Sequence, residues 1–327
     1  MSGAARAERR FRVMGSDAHL IVVGGDGATA LDAEALLDRA QASLDRLEAL
    51  WSRFQPDSEV TELTARAGQW VTVSDETLLL VRRAVDAWSL SGASFDPTVL
   101  GDMIRAGYDR SFDAFDDRPR SGLSALLHGC GDIDIDDAAN RVRLPEGTGF
   151  DPGGIGKGLA ADLLTTELMD GGAAGVCANV GGDLRVRGQG PNPEVDGWTV
   201  GIDHPWLTEP IALVGLLDGA LATSTTLKRH WQVDGEHRHH LIDPGTGRPS
   251  TTDLTLVSVI ATEGWRAEIL AKAVLLRGSA HPFDLIGGTG AEALCIDRTG
   301  RLQATDGFTA FTGGVPLPLQ VEATPPA

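Results

Sequence analysis

Between Leu31 and Trp51, Leu36, Leu37, Ala40, Leu44, Leu47 and Leu50 recur at three- and four-residue intervals, which places them on one face of a helix. The same periodicity predicts a helix over about Asp75 to Ser91, with Leu79, Val81, Val85 and Trp88 as apolar positions, Ser74 as N-cap and a stop near Gly92. Leu159, Leu163, Leu164 and Leu168 define another from about Lys157 to Met169, ended by Gly171-Gly172, and Arg266 to Leu276 reads as helix again. Strands are expected at Phe11–Val23, with a bulge or bend at Met14-Gly15-Ser16, and at Val176–Asn179, Leu184–Val186, Trp198–Ile202, Ile211–Leu217, Thr255–Val259 and Ala293–Ile296. Helices and strands do not alternate strictly, so the pattern predicts an α+β fold rather than a doubly wound sheet.

The 327 residues suffice for one large domain, and no repeat or linker-like stretch divides them. The expected organisation is a disordered segment over 1–10, a domain over 11–312 and an irregular tail over 313–327. Arg6, Arg9, Arg10 and Arg12 belong to the terminus and read as solvated charges. Acidic residues outnumber Lys plus Arg by 46 to 28, and the net charge of −18 disfavours a nucleic-acid backbone as partner. Nowhere do 18 consecutive apolar residues occur, so membrane insertion is not expected. Cys130, Cys177 and Cys295 form no C-x-x-C pair and are odd in number, a usage that suits a reducing cytoplasm.

Chemistry concentrates in a few turns. Phe150 to Gly158 is glycine-rich and runs into a helix, where exposed N–H groups and the helix dipole suit a phosphate. It is no Walker loop, because Asp151 and Gly158 stand where Gly and Ser or Thr are required. Taken alone it fits a phosphate cradle or a tight turn needing positive φ. Asn179 to Asp183 and Phe95-Asp96-Pro97-Thr98 are further turns, each explicable by its own Asp side chain. His237, His239 and His240 precede a dense Asp-Pro and Thr-Gly turn; strand alternation denies them a common face, and His240 is the candidate general base. Asp132, Asp134 and Asp136 do not make an EF-hand, since Asp137 and Arg143 occupy its Gly and Glu positions, and they read as the solvent face of a strand burying Ile133 and Ile135. The stretch from Arg105 to Arg120 has no period and reads as a loop with a short helix.

In order along the chain, these segments resemble the ApbE family of FAD-dependent protein FMN transferases over roughly residues 11 to 310. Arg12 to Ser16 is similar to that family's M-G-T opening, and Trp51 to Glu59 to its S-x-Y-x-P-D-S-E segment, with Phe54 replacing the tyrosine. Phe95 to Val99 matches F-D-P-T-V, Gly153 to Gly158 resembles G-G-I-A-K-G, and Asn179 to Asp183 matches N-x-G-G-D. Ala222-Thr223-Ser224 and His240 to Gly247 complete the series.

The resemblance implies a T-fold-related α+β core that binds FAD and, with Mg2+, transfers FMN to a Thr or Ser hydroxyl of an acceptor protein, releasing AMP. By similarity, Met14, Phe54, Phe95, Asp96 and Leu159 border the flavin nucleotide, Gly153 and Lys157 lie near the phosphates, Asp183 and Ile242 shape the pocket, and His240 is the base. The resemblance also implies a metal held by the Gly156 carbonyl and by an Asp and a Thr four residues apart on a late helix. Here those two places read Glu268 and Lys272, and an ammonium donates but cannot ligate. Their i, i+4 spacing suits a helix ion pair. Two readings follow: the Lys272 ammonium stands in for the metal charge, or the metal site is lost and the protein is a non-catalytic flavin binder; a separate rival is FAD hydrolysis to FMN and AMP at the same site with water as nucleophile.

Overall fold

In the computed structural model, which describes residues 5–111, 124–233 and 236–321, Met14 and Gly15 reverse the chain with φ of +52° and +60°. Two successive positive φ values form the tight turn that matches the twist of a β-hairpin. The expected single bent strand is therefore two strands, β1 (Arg6–Val13) and β2 (Ser16–Gly24), with Val13 paired to Ser16. The expected disorder over 1–10 is corrected for Arg6 to Arg10, which lie in β1, and Arg9 pairs with Glu34 and Asp38.

The hairpin opens an eight-stranded antiparallel sheet that continues through β3 (Ala173–Val180), β4 (Asp183–Gly188), β5 (Asp218–Thr225), β6 (Leu254–Ala261), β7 (Glu292–Asp297) and β8 (Leu302–Ala304). Sheet order follows chain order. All eight residues of β6 are buried, as covering both faces of an inner strand requires. A core including Leu184, Val186, Trp198, Ile202, Val214 and Phe308 joins this sheet to the hairpin of Trp198–Ile202 with Ala212–Leu216.

Six α-helices occur among the described residues: α1 (Ala30–Trp51), α2 (Glu59–Ala65), α3 (Asp75–Leu90), α4 (Leu100–Arg105), α5 (Gly156–Asp170) and α6 (Gly264–Arg277). The α3 limits agree with the sequence pattern, and Ser74 accepts from the Thr77 N–H as its N-cap. Thr29 and Asp32 exchange hydrogen bonds at the start of α1, a reciprocal cap. The α+β expectation holds. The chain forms two compact units, one of residues 1–45, 157–225 and 253–327 and the other of 46–156 and 226–252. The first contains the large sheet with α6 packed on β5 and β6.

The second unit contains α2, α3, α4 and a small sheet in which Arg141–Arg143 pairs with both Val71–Thr72 and Asp134–Asp136. Asp134 and Asp136 pair with Arg143 and Arg141, while Ile133 and Ile135 are only half-buried, so the expected buried face there is partial. Within 105–120, α4 ends at Arg105, and residues 112–120 lie outside the described residues. From 313 to 321 the tail is irregular apart from an isolated bridge between Arg301 and Gln320.

Candidate active site

Gly158 and Gly264 decide how close α5 and α6 come. A Cβ on Gly158 would lie 2.4 Å from the Gly264 carbonyl oxygen, and one on Gly264 would lie 2.5 Å from that of Gly158. Only glycine permits such backbone contact. The crossing brings Glu268, one turn into α6, to Lys157 at the start of α5. The Lys157 ammonium donates to Glu268 Oε1 at 2.6 Å and to Asp183 Oδ2 at 2.5 Å, and the Gly158 N–H donates to Glu268 Oε2 at 2.8 Å. Asp183 begins β4 just beyond the Gly181-Gly182 turn, where the Asn179 side chain accepts from the Gly182 N–H. A Cβ on Gly181 would press on Ser16 Oγ at 2.8 Å and Lys157 Cδ at 3.1 Å. The Gly181-Gly182 turn thus lies against Lys157 on one side and, on the other, against Ser16, which follows the Met14-Gly15 turn.

Burial is the largest influence on these charges. It pulls Lys157 downward, but the Asp183 and Glu268 carboxylates together outweigh it and carry the ammonium above its ordinary range. Burial raises Asp183, and despite the opposing field of Lys157 the group stands at about 6; Glu268 pushes it further up and Lys272 pulls it down. Lys157 is therefore the fixed positive charge of the cluster.

A second network holds α6 in place. No side chain of α6's own entry turn caps it; Asp162 of α5 accepts from the N–H groups of Gly264 at 2.7 Å and Trp265 at 3.0 Å. Arg185 lies 3.3 Å from Asp162, donates to the Gly219 carbonyl at 2.9 Å and also pairs with Asp218. Burial raises Asp162 to about 6 against the pull of the two N–H bonds and Arg185. The folded state therefore holds the proton more tightly than the unfolded chain, and this group's contribution to stability falls as pH rises from about 4 to 6. Asp162→Asn is expected to flatten that part of a denaturant-midpoint-versus-pH curve; an unchanged slope would refute the assignment.

In the other unit, Arg53 lies 4.2 Å from the Phe54 ring centre and 4.8 Å from that of Tyr108, and donates to the Tyr108 carbonyl at 2.9 Å. Its Nε stands 3.4 Å from Asp151, whose Oδ1 accepts from the Gly153 N–H at 2.8 Å. Tyr108 stacks on Trp231 at 5.5 Å, and both pack with Ile242, which is buried. Phe54 remains 38% exposed, the outermost ring of this ladder. Phe95 is buried, and the buried Asp96 accepts from the Thr98 N–H at 2.7 Å, so its visible role is to close its own turn. His240 is half-buried at the end of the Glu236–His239 strand, its N–H reaching the Arg229 carbonyl at 3.3 Å. Leu159 is buried in α5 and Gly156 is that helix's first residue.

The structure thus gathers Lys157, Asp183 and Glu268 and sets Met14 at the adjoining turn. It also reveals Asp162, Arg185 and the Arg53–Tyr108–Trp231 stack, none of which had a role in the sequence reading. The only sequence hints were Arg53 inside the Trp51 to Glu59 motif and Tyr108 as the chain's single tyrosine.

The residues do not fit a magnesium ion. Both Glu268 oxygens accept N–H donors, Lys157 stands where a cation shared with Asp183 would sit, and Lys272 adds a second positive charge. Mg2+ demands several oxygen ligands in near-octahedral geometry. No group of three or more His, Cys, Asp or Glu suited to a metal occurs among the described residues.

The fold, an eight-stranded sheet wound in chain order, is shared with solved ApbE structures. The ApbE protein of Thermotoga maritima aligns with a TM-score of 0.82 at 24% identity, covering 94% of this chain and 99% of that one. Flavin transferase ApbE from Vibrio cholerae gives 0.79 at 22%, with 94% and 99% covered. The sequence profile of the ApbE family matches residues 14–295, and the chain belongs to that family. A FAD:protein FMN transferase of Treponema pallidum is 30% identical over 301 residues, 85% of this chain and 82% of that protein. One from Klebsiella pneumoniae is 29% identical over 245 residues, 72% and 73% of the two chains.

Proposed function

We propose that the protein transfers FMN from FAD to a Thr or Ser hydroxyl of an acceptor protein, with AMP as the leaving group. The acceptor oxygen forms a bond to the FMN-side phosphorus, the bond from that phosphorus to the oxygen leaving with AMP breaks, and the hydroxyl proton passes to a base. The observation that carries the reading is the buried, protonated Lys157 beside the Gly181-Gly182 turn. With two N–H bonds given to carboxylates, the ammonium keeps a third donor for a phosphoryl oxygen. A fixed cation of this kind stabilises the charge that gathers on the phosphoryl oxygens as the bond breaks.

Phe54, exposed and backed by Arg53 and Tyr108, supplies a ring face for an aromatic ligand. His240 is assigned the base role by family resemblance, supported by its partial exposure beside the Asp243 turn. We assign a reducing compartment such as the cytoplasm, supported by Cys130, Cys177 and Cys295 all being free, with burial pushing Cys177 and Cys295 up to about 12. No helix of the described residues is long and apolar enough to cross a membrane.

The test is incubation of the purified chain with FAD and a Thr-containing acceptor domain, resolving AMP, FMN and protein mass. AMP with an equal mass gain on the acceptor is expected. Free FMN without that gain would make water the nucleophile, and FAD bound but intact would leave a binding protein.

A further inference from the structure

Glu268 and Lys272 stand one turn apart on α6 and so share its face. Glu268 is buried and already accepts from Lys157 and Gly158, and the Lys272 charge acts on Asp183. Two carboxylates thus hold one ammonium group in direct contact and lie within the field of a second. We propose that this site takes no divalent cation, and that the Lys157 and Lys272 ammonium groups supply the positive charge that meets the pyrophosphate of the flavin dinucleotide. The inference rests on the flavin-transfer reading for the identity of its anion, but its statement about the metal stands on the cluster alone.

The chemistry favours the lysines. A divalent ion entering between Asp183 and Glu268 must displace the Lys157 ammonium from contacts of 2.5 and 2.6 Å and then remain beside it. It must also recruit oxygen donors from a neighbourhood whose next charged group, Lys272, has none to offer. An entering pyrophosphate meets the opposite situation: each lysine offers N–H donors to phosphoryl oxygens, and the two carboxylates keep the Lys157 ammonium charged and oriented while the ligand is away.

Two measurements on the full chain decide the matter. In the first, Mn2+ as a magnesium probe is titrated into chelator-treated protein and free Mn2+ is read by electron paramagnetic resonance. No saturable site is expected through the millimolar range; a one-equivalent site that disappears in Glu268→Gln would overturn the proposal. In the second, FAD affinity is read from quenching of flavin fluorescence in EDTA and in excess Mg2+. The two dissociation constants are expected to agree within twofold, and Lys272→Met to weaken FAD by about tenfold, the loss of one charge-assisted contact. Strengthening of FAD binding by Mg2+, or unchanged affinity in Lys272→Met, would overturn it. Failure of FAD to bind in either medium would reject the flavin reading together with the pyrophosphate role, while the Mn2+ titration still decides the metal.

Discussion

Lys157→Met is expected to cost about 3–5 kcal/mol of stability and to lower FMN transfer by roughly two to three orders of magnitude. Methionine nearly preserves the volume but leaves Asp183 and Glu268, 7% and 5% exposed, facing each other without their shared cation. The stability loss has a pH signature. The ammonium stabilises Asp183 only while that group is ionised, and Asp183 takes up a proton near pH 6. The gap in denaturant midpoint between wild type and Lys157→Met should therefore be widest above pH 7 and narrow as pH falls through 6 toward 5. The wild-type contribution of Asp183 runs the opposite way: the group is raised in the folded state, so it favours folding on the acid side and that contribution fades as pH climbs to about 6. A pH-independent gap, or one below about 0.5 kcal/mol, would mean that the three groups are not in contact.

How far the sequence already contained this arrangement depends on the range over which each signal acts. The α1 and α3 helices are legible because their apolar spacing and the Ser74 cap are local, and the observed limits fall within a residue of the pattern. The Arg6–Arg10 part of β1 was hidden because four of its five residues are charged, as an outer strand tolerates, and only Ala7 among them is buried. The β5 strand was missed for a different reason. Its Ala, Thr and Ser residues carry little hydrophobic signal, and α6 packs directly on it. At the site, the glycine turns and Lys157 could be picked out as motifs, but the Lys157 to Glu268 contact spans 111 residues, which no spacing rule reaches. Glu268 looked from its spacing like one half of a surface ion pair with Lys272; the helix crossing buries it and gives it Lys157 and the Gly158 N–H. Asp162 was one polar residue within α5 until α6 supplied the two N–H groups it accepts.

That crossing supplies the second large effect. Gly158→Ala places a methyl group 2.4 Å from the Gly264 carbonyl oxygen, well inside van der Waals contact with backbone that has no rotamer to yield. The helices must separate, and overpacking of this kind costs about 1–3 kcal/mol or more. Separation also acts on function, because α6 carries Glu268 away from Lys157 and loosens the Gly264 N–H bond to Asp162 at the same time. Gly158→Ala should accordingly lower kcat for FMN transfer at least tenfold, while Gly287→Ala, where a Cβ meets nothing within 4 Å, should leave stability within about 0.5 kcal/mol of wild type. Gly264→Ala strains the same contact from the other side, so combining it with Gly158→Ala should cost clearly less than the two single losses added, since the first substitution has already opened the gap that the second needs. Additive losses in the double variant would show that the two glycines act at independent places, and the route from the crossing to Glu268 would fail.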